Sequence, residues 1–369
     1  MQHQRIVVKI GSSSLTGPQG GLNHEAVDFF AAEIAALQQQ GHSVLLVTSG
    51  AVAAGFREIG YLSRPRLLHE KQAAASVGQA LLMRDYQQAF AKHGIVSAQI
   101  LLTRGDFTHR KRAGNASMTI EELLKQNVIP IINENDTVSV DELKFGDNDT
   151  LSALVANLAK ASHLLILTDV DGLYSANPNK DPEAVHYPVI DEITDEIYDM
   201  AGGAGSAVGT GGMRSKVDAA KIATRGGIEV FVGRVNQPGD LLLAANHQGK
   251  GTYFSTHSAS LPMKKQWLGF LSVPLGTLII DEGAERALID NGRSLLPVGI
   301  RQLEGQFHAG DVVEVQNVQR DVLGRGIVNY DYDQLQQIIG LPSSKIAETL
   351  GVDHVQHLEA VHRDEWITL

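Results

Sequence analysis

The chain of 369 residues contains no cysteine. That excludes disulfides, thiolate nucleophiles and thiolate metal sites, and it agrees with a reducing compartment. No apolar run reaches the length needed to span a bilayer, and the opening stretch MQHQRIVVKIGSSS is interrupted by Lys9 too early for a signal peptide. A cytoplasmic location is expected. The best-known phosphate motifs are missing as well: G-x-x-x-x-G-K-[ST] does not occur, and the glycines of 201–212 do not satisfy G-x-G-x-x-G. P-loop and Rossmann readings therefore fall away. DVDG (169–172) lacks the spacing of an EF-hand loop and reads as a strand end and turn. The 14 histidines are scattered, and the one close pair with a plausible ligand spacing, His354 with His357, reads as solvated surface. No catalytic Ser or His triad is recognisable.

What is present is ordinary for a globular protein, with 43% hydrophobic and 20% charged residues. Short apolar, β-branched runs recur as RIVVKI (5–10), SVLLVT (43–48), VSAQILLT (96–103), VIPIIN (128–133), HLLILTD (163–169) and IEVFVG (228–233). Most lack strict alternation, as strands covered on both faces do. Helix-like stretches lie between them at 24–40, 70–92, 115–126, 150–160 and 213–226. The alternation predicts a mostly parallel sheet sandwiched by helices, with ligands bound beyond the carboxyl ends of the strands.

The loops at those ends share a character. They read GSSSLTGPQGG, SGAVAAG, NEND and DVDGLYSANP, and a further run, AGGAGSAVGTGGMRSK (201–216), ends in Lys216. Small residues let backbone N–H groups approach an anion, and a following helix start adds partial positive charge. Several such loops on one sheet edge imply a polyphosphate, with Lys9 and Lys216 as its cations. The acceptor-rich stretch IINENDTVSVDELKFGDNDTLSA (131–153) suits an ammonium group or a hard metal ion.

Seven blocks now carry a resemblance: VVKIGSSSL (7–15), LLVTSGAVAAG (45–55), KQAAASVGQ (71–79), VIPIINEND (128–136), FGDNDTLSALVA (145–156), LLILTDVDGLY (164–174) and GTGGMRSK (209–216). In order, through nearly the whole chain, they resemble the glutamate-phosphorylating members of the amino acid kinase family. The resemblance implies a three-layer αβα sandwich with a mostly parallel sheet. It also implies ATP-dependent phosphorylation of the side-chain carboxylate of L-glutamate, with Mg2+, as the first step of proline biosynthesis, inhibited by proline. On the same footing Ser49, Asp136 and Asn148 bind glutamate, Asn133 supports them, and Asp149 orients Lys9 and Lys216. The ATP site then comprises Lys9, Gly11, Thr168, Asp169 and the stretch Thr210, Gly211, Gly212, Met213, Arg214, Ser215 and Lys216. Ser215 stands where the family often has threonine, which keeps the hydroxyl. A homodimer or homotetramer is implied, with possible coupling to the glutamyl phosphate reductase. The chemistry is consistent: a glutamate side chain has a pKa of about 4.3, so the nucleophile is already ionised and no general base is needed.

The catalytic part is expected over 1–255 and a linker over 256–273, with a β-rich segment over 274–352 and a tail over 353–369. The β-rich segment resembles the PUA domain, best known in RNA-modifying proteins. RNA binding is therefore a rival function. Residues 274–369, however, hold seven Lys and Arg against fifteen Asp and Glu, where nucleic-acid contact needs a basic face. A regulatory or assembly role fits this segment better. A second rival is another member of the same family, acting on acetylglutamate, aspartate or a nucleotide. An N-acetylated acceptor has no ammonium for Asp136 to bind, and a nucleotide would favour basic residues where this chain is acidic.

Overall fold

The computed structural model describes residues 3–17, 20–108, 110–138, 148–176, 178, 181–202, 212–256, 268–269, 272, 274–355 and 357–368. They fall into two compact units, Met1–Ser260 and Leu261–Leu369.

The first unit is a three-layer αβα sandwich. Its strands are β1 (Arg5–Ile10), β2 (Ser43–Val47), β3 (Ser97–Leu102), β4 (Ile129–Glu134), β5 (His163–Leu167), β6 (Leu173–Tyr174), β7 (His186–Tyr187), β8 (Val189–Ile190), β9 (Glu229–Gly233) and β10 (Gly251–Phe254). The main sheet has the order β3-β4-β2-β1-β5-β9-β10-β8, and every pairing in it is parallel except β9 with β10; β6 and β7 form a separate ribbon. The helices are α1 (Ser12–Leu15), α2 (His24–Gln39), α3 (Ala51–Gly55), α4 (Leu68–Ala91), α5 (Arg104–Thr108), α6 (Arg110–Lys125), α7 (Asn148–Leu158), α8 (Asp195–Ala201), α9 (Met213–Arg225) and α10 (Asp240–Ala245). All six expected strands form. α6 starts five residues before the helix read from the sequence, because its polar opening RKRAG shows no apolar period.

The central strands are buried on both faces because helices cover both. Ile6, Val8 and Ile10 of β1 enter a core with Phe30 and Ile34 of α2 and Tyr86 and Phe90 of α4. Strand alternation then sends Val7 and Lys9 to the opposite face, where α7 packs against β1 and α9 packs against α7. α7 is accordingly enclosed almost all round, and every residue in it except Thr150 is buried. Lys9 is thus directed under α7 by its parity on the strand.

α3 and α4 cross with their backbones in contact. A methyl group on Gly55 would lie 2.0 Å from the Ala74 carbonyl oxygen, and one on Gly78 would lie 1.8 Å from the Ala51 carbonyl oxygen. Only glycine permits that approach.

The second unit contains the sheet β12-β11-β13-β14-β15, formed by β11 (Gly276–Ile280), β12 (Ile300–Gly305), β13 (Val312–Gln316), β14 (Val322–Val328) and β15 (Val361–Thr368). One face, with Leu278, Ile280, Val313, Val315 and Trp366, packs on Leu288, Leu335 and Ile338 from two short helices. The other holds Val312, Ile327 and Ile367 against Leu268. Residues 361–368, inside the stretch expected to be a tail, are an eight-residue strand antiparallel to β14. Its centre, HRDE, is charged and hides the strand from a reading of apolar runs, while Val361, Trp366 and Ile367 are buried.

The helix crossing yields a direct test. Gly78→Ala should destabilise the first unit by about 2 kcal/mol or more, since the methyl meets backbone rather than a movable side chain. Urea denaturation followed by circular dichroism measures this, and an unchanged midpoint would mean that α3 and α4 can separate freely.

Candidate active site

At the carboxyl ends of the parallel strands three buried charges meet. Lys9, next to last in β1, is 5% exposed; Lys216, in the first turn of α9, is 7% exposed; Asp149, in the first turn of α7, is fully buried. Lys9 Nζ pairs with Asp149 Oδ1, and Lys216 Nζ lies 3.1 Å from Asp149 Oδ2. The Ser215 hydroxyl reaches the same Oδ2 at 2.8 Å, so the serine keeps the contact that a threonine hydroxyl could make. Gly11 follows β1 beside this cluster, with its missing side chain facing Lys9 Nζ. Burial alone would raise the Asp149 pKa. The two ammonium groups and the hydrogen bonds from Lys9 and Ser215 outweigh it and hold the carboxyl at about 2.

Beside the charges runs a relay of amides. Asn148 opens α7, and its Nδ2 donates to the Thr48 carbonyl at 2.5 Å, Asn133 Oδ1 at 2.8 Å and Ser49 Oγ at 3.0 Å. Asn133 Oδ1 also accepts from the Glu134 backbone N–H, and its Nδ2 donates to Gln79 Oε1 at 2.9 Å. Gln79 in turn donates to Gln99 Oε1 at 3.1 Å. The ends of β2 and β4 are thereby linked to the middles of α4 and β3. Thr48 Oγ1 adds a hydrogen bond to the buried Tyr86 hydroxyl at 3.0 Å, and burial pushes that phenol well above its ordinary pKa. The relay borders a cavity of about 350 Å³ lined by Ala51, Ser76, Gln79, Gln99, Glu134 and Asp136, among others.

The structure therefore brings together Lys9, Gly11, Asp149, Ser215 and Lys216, and joins Ser49, Asn133 and Asn148. Asp136 lines the adjoining cavity. Thr168 and Asp169 follow β5: Thr168 Oγ1 donates to Asp169 Oδ1 at 3.2 Å, and Arg234 fixes the turn through the Asp169 carbonyl and Asp171. Gly212 caps α9, Met213 opens it, and Arg214 lies over the Tyr198 ring at 4.2 Å. Thr210 and Gly211 lie outside the described residues. Gln79 and Gln99 had no role in the sequence reading. They lie on a helix and a strand where a polar residue looks like surface, and only the partner amides identify them.

Residues 4–234 match the amino acid kinase family and residues 276–350 match the PUA domain. A protein of Geobacillus kaustophilus (strain HTA426) named "Glutamate 5-kinase" is 49% identical over 370 residues, covering 100% of this chain and 98% of that protein. Another of that name, from Bacillus cereus (strain ATCC 10987 / NRS 248), is 48% identical over 370 residues and covers 100% of both.

The Asp149 cluster gives stability a pH signature. Its folded pKa, about 2, is below the unfolded value of about 3.9, so the contribution is complete above about pH 4 and is lost as pH falls through 2. It is on the order of 2–3 kcal/mol. Urea unfolding between pH 7 and pH 2 should show this loss in the wild type, whereas Asp149→Asn should be less stable at pH 7 and lack that component. Parallel profiles through the window would remove Asp149 from the acid response.

Proposed function

This chain belongs to the amino acid kinase family, and on that premise we propose that it transfers the γ-phosphoryl group of ATP to the side-chain carboxylate of L-glutamate, giving L-glutamyl 5-phosphate. The reaction is the first step of proline biosynthesis. The observation that carries the reading is the convergence of Lys9 and Lys216 on one buried carboxylate, at the carboxyl end of β1.

The chemistry follows from the charges. The acceptor carboxylate is ionised at neutral pH, so the enzyme need not remove a proton. Its task is to hold two anions together and to stabilise charge on the phosphoryl group in flight. Two ammoniums sharing one carboxylate leave a net positive charge for that purpose. Asp149 is itself fully buried and fixes both lysines. Asp149 acts as a positioning residue, while Lys9 and Lys216 face the phosphates. Gly11, Thr168, Asp169 and the start of α9, with Gly212, Met213, Arg214 and Ser215, form the nucleotide side, and the resemblance assigns Thr210 and Gly211 to ATP as well.

On the acceptor side, Ser49 and Asn148 hold glutamate, Asn133 orients Asn148, and Asp136 pairs with the substrate ammonium. Magnesium, carried on the ATP phosphates, would neutralise phosphate charge. Asp149 is a poor ligand for it, since both its oxygens already serve ammonium groups. Proline carries the same amine and carboxylate as glutamate and acts as a feedback inhibitor at an overlapping site. We further place the enzyme in the cytoplasm as a homodimer or homotetramer, functionally coupled to the glutamyl phosphate reductase. The acidic second unit fits regulation or assembly better than RNA contact.

An acceptor panel with ATP and magnesium tests the substrate: glutamate should turn over fastest, and faster use of aspartate, acetylglutamate or UMP would overturn the reading. Lys9→Ala and Lys216→Ala should each lower kcat by on the order of 10²–10³ in a folded protein. Normal turnover in either variant would remove that lysine from the mechanism. Asp136→Asn should raise the glutamate KM roughly 30-fold or more, the loss of a charge partner being worth about 2–5 kcal/mol, with the ATP KM little changed and proline potency falling in parallel. A rise in the ATP KM instead would move Asp136 to the nucleotide side.

A further inference from the structure

Away from the kinase site, at the amino-terminal ends of β5 and β9, His163, Glu229 and His247 bring one ligand atom each to within 4.8 Å of the other two. We propose that these three side chains bind a divalent transition metal ion of the zinc type.

The register of the sheet creates the site. His163 and Glu229 are the first residues of neighbouring parallel strands and are direct partners across them. Their side chains therefore share a face, and Glu229 Oε2 lies 3.0 Å from His163 Nε2. His247 follows α10 with φ of 59°, a left-handed conformation that residues other than glycine seldom adopt. Its ring packs on Tyr253 at 5.3 Å, and its Nε2 lies 3.4 Å from the same carboxylate oxygen.

The hydrogen bonds around His163 leave one of its nitrogens unprovided for. Ser162 Oγ donates to the Arg5 carbonyl at 3.0 Å and so is free to accept from His163 Nδ1 at 2.9 Å. This network places the ring proton on Nδ1 and a lone pair on Nε2. That Nε2 is buried and, apart from the Glu229 carboxylate oxygen 3.0 Å away, has no polar partner among the described residues. An imidazole lone pair on a buried nitrogen facing a half-buried carboxylate oxygen suits a cation between them. A histidine ligand characteristically donates its other N–H to a fixed acceptor, which Ser162 provides.

The donor set selects the metal class. Two imidazoles and one carboxylate suit zinc, nickel, cobalt or copper and not magnesium or calcium, which take oxygen ligands. In a tetrahedral zinc site the donors stand about 3.3 Å apart, as follows from metal–ligand distances of about 2.0–2.1 Å. The present spacing approaches this and leaves only small side-chain shifts to complete it. Glu229 is 39% and His247 51% exposed at the side chain, so water can supply the remaining coordination. The site thus has three protein ligands and an open side.

The test uses the full chain, purified without a polyhistidine tag, stripped with chelator and desalted. Titration with Zn2+ in a calorimeter and with Co2+ in the visible spectrum should show one ion per chain and the intense bands of low-coordinate cobalt. Glu229→Gln and His247→Ala should each weaken binding at least tenfold, and His247, half exposed, can be replaced without disturbing the core. A variant lacking both His354 and His357 should bind as the wild type does. Absence of binding tighter than about 100 μM in the wild type would overturn the site, as would full retention of binding in His247→Ala or its loss with the His354 and His357 pair.

Discussion

Taking Lys9, Asp149 and Lys216 out of water costs several kcal/mol per ion unless each charge finds a partner, and breaking such a cluster leaves a buried charge uncompensated. Three separate elements have to agree for this not to happen. β1 must place residue 9 on the face that α7 covers, α7 must start with its second residue over that face, and α9 must begin with its fourth residue close by. The parallel sheet meets all three demands because its strands end together and the helices that follow start where those strands end. The burial of α7 along almost its entire surface then holds Asp149 in place from above.

The amide relay solves a different problem with neutral groups. Asn148 stands next to Asp149 in sequence, so the helix start that positions the charges also positions the first amide of the relay. Asn133, Gln79 and Gln99 satisfy one another in turn, and no net charge is added to a region already crowded with carboxylates. A network of this kind is rigid only when each member is satisfied. Here the donors of Asn148 and Asn133 have partners among β2, β4 and α4.

Much of this was legible in the sequence, and the physical reason differs by element. Strands covered on both faces read as unbroken apolar runs, so β1, β2, β4, β5 and β9 stood out, and the two lysines were marked by the small-residue loops around them. β10 was missed because GTYF is too short and mixed to rise above its surroundings. β15 was missed because charges occupy its exposed centre. Gln79 and Gln99 carry no signal without their partners. His163, Glu229 and His247 lie far apart along the chain, and only the pairing of β5 with β9 makes neighbours of the first two. Register is a property of the sheet, and a single sequence does not display it.

The contact between Gly55 and Gly78 reaches further than the stability of two helices. Ser49 and Gly50 lead directly into α3, and Gln79 follows Gly78 on α4, so the crossing ties the loop after β2 to the far end of the amide relay. Those groups cannot move independently. The conformational entropy of aligning them is surrendered once, during folding, and need not be lost again when a ligand enters the cavity beside them. Flexibility around that cavity would have to come from the segments that border it, because the helix pair beneath has no methyl-sized gap in which to slide.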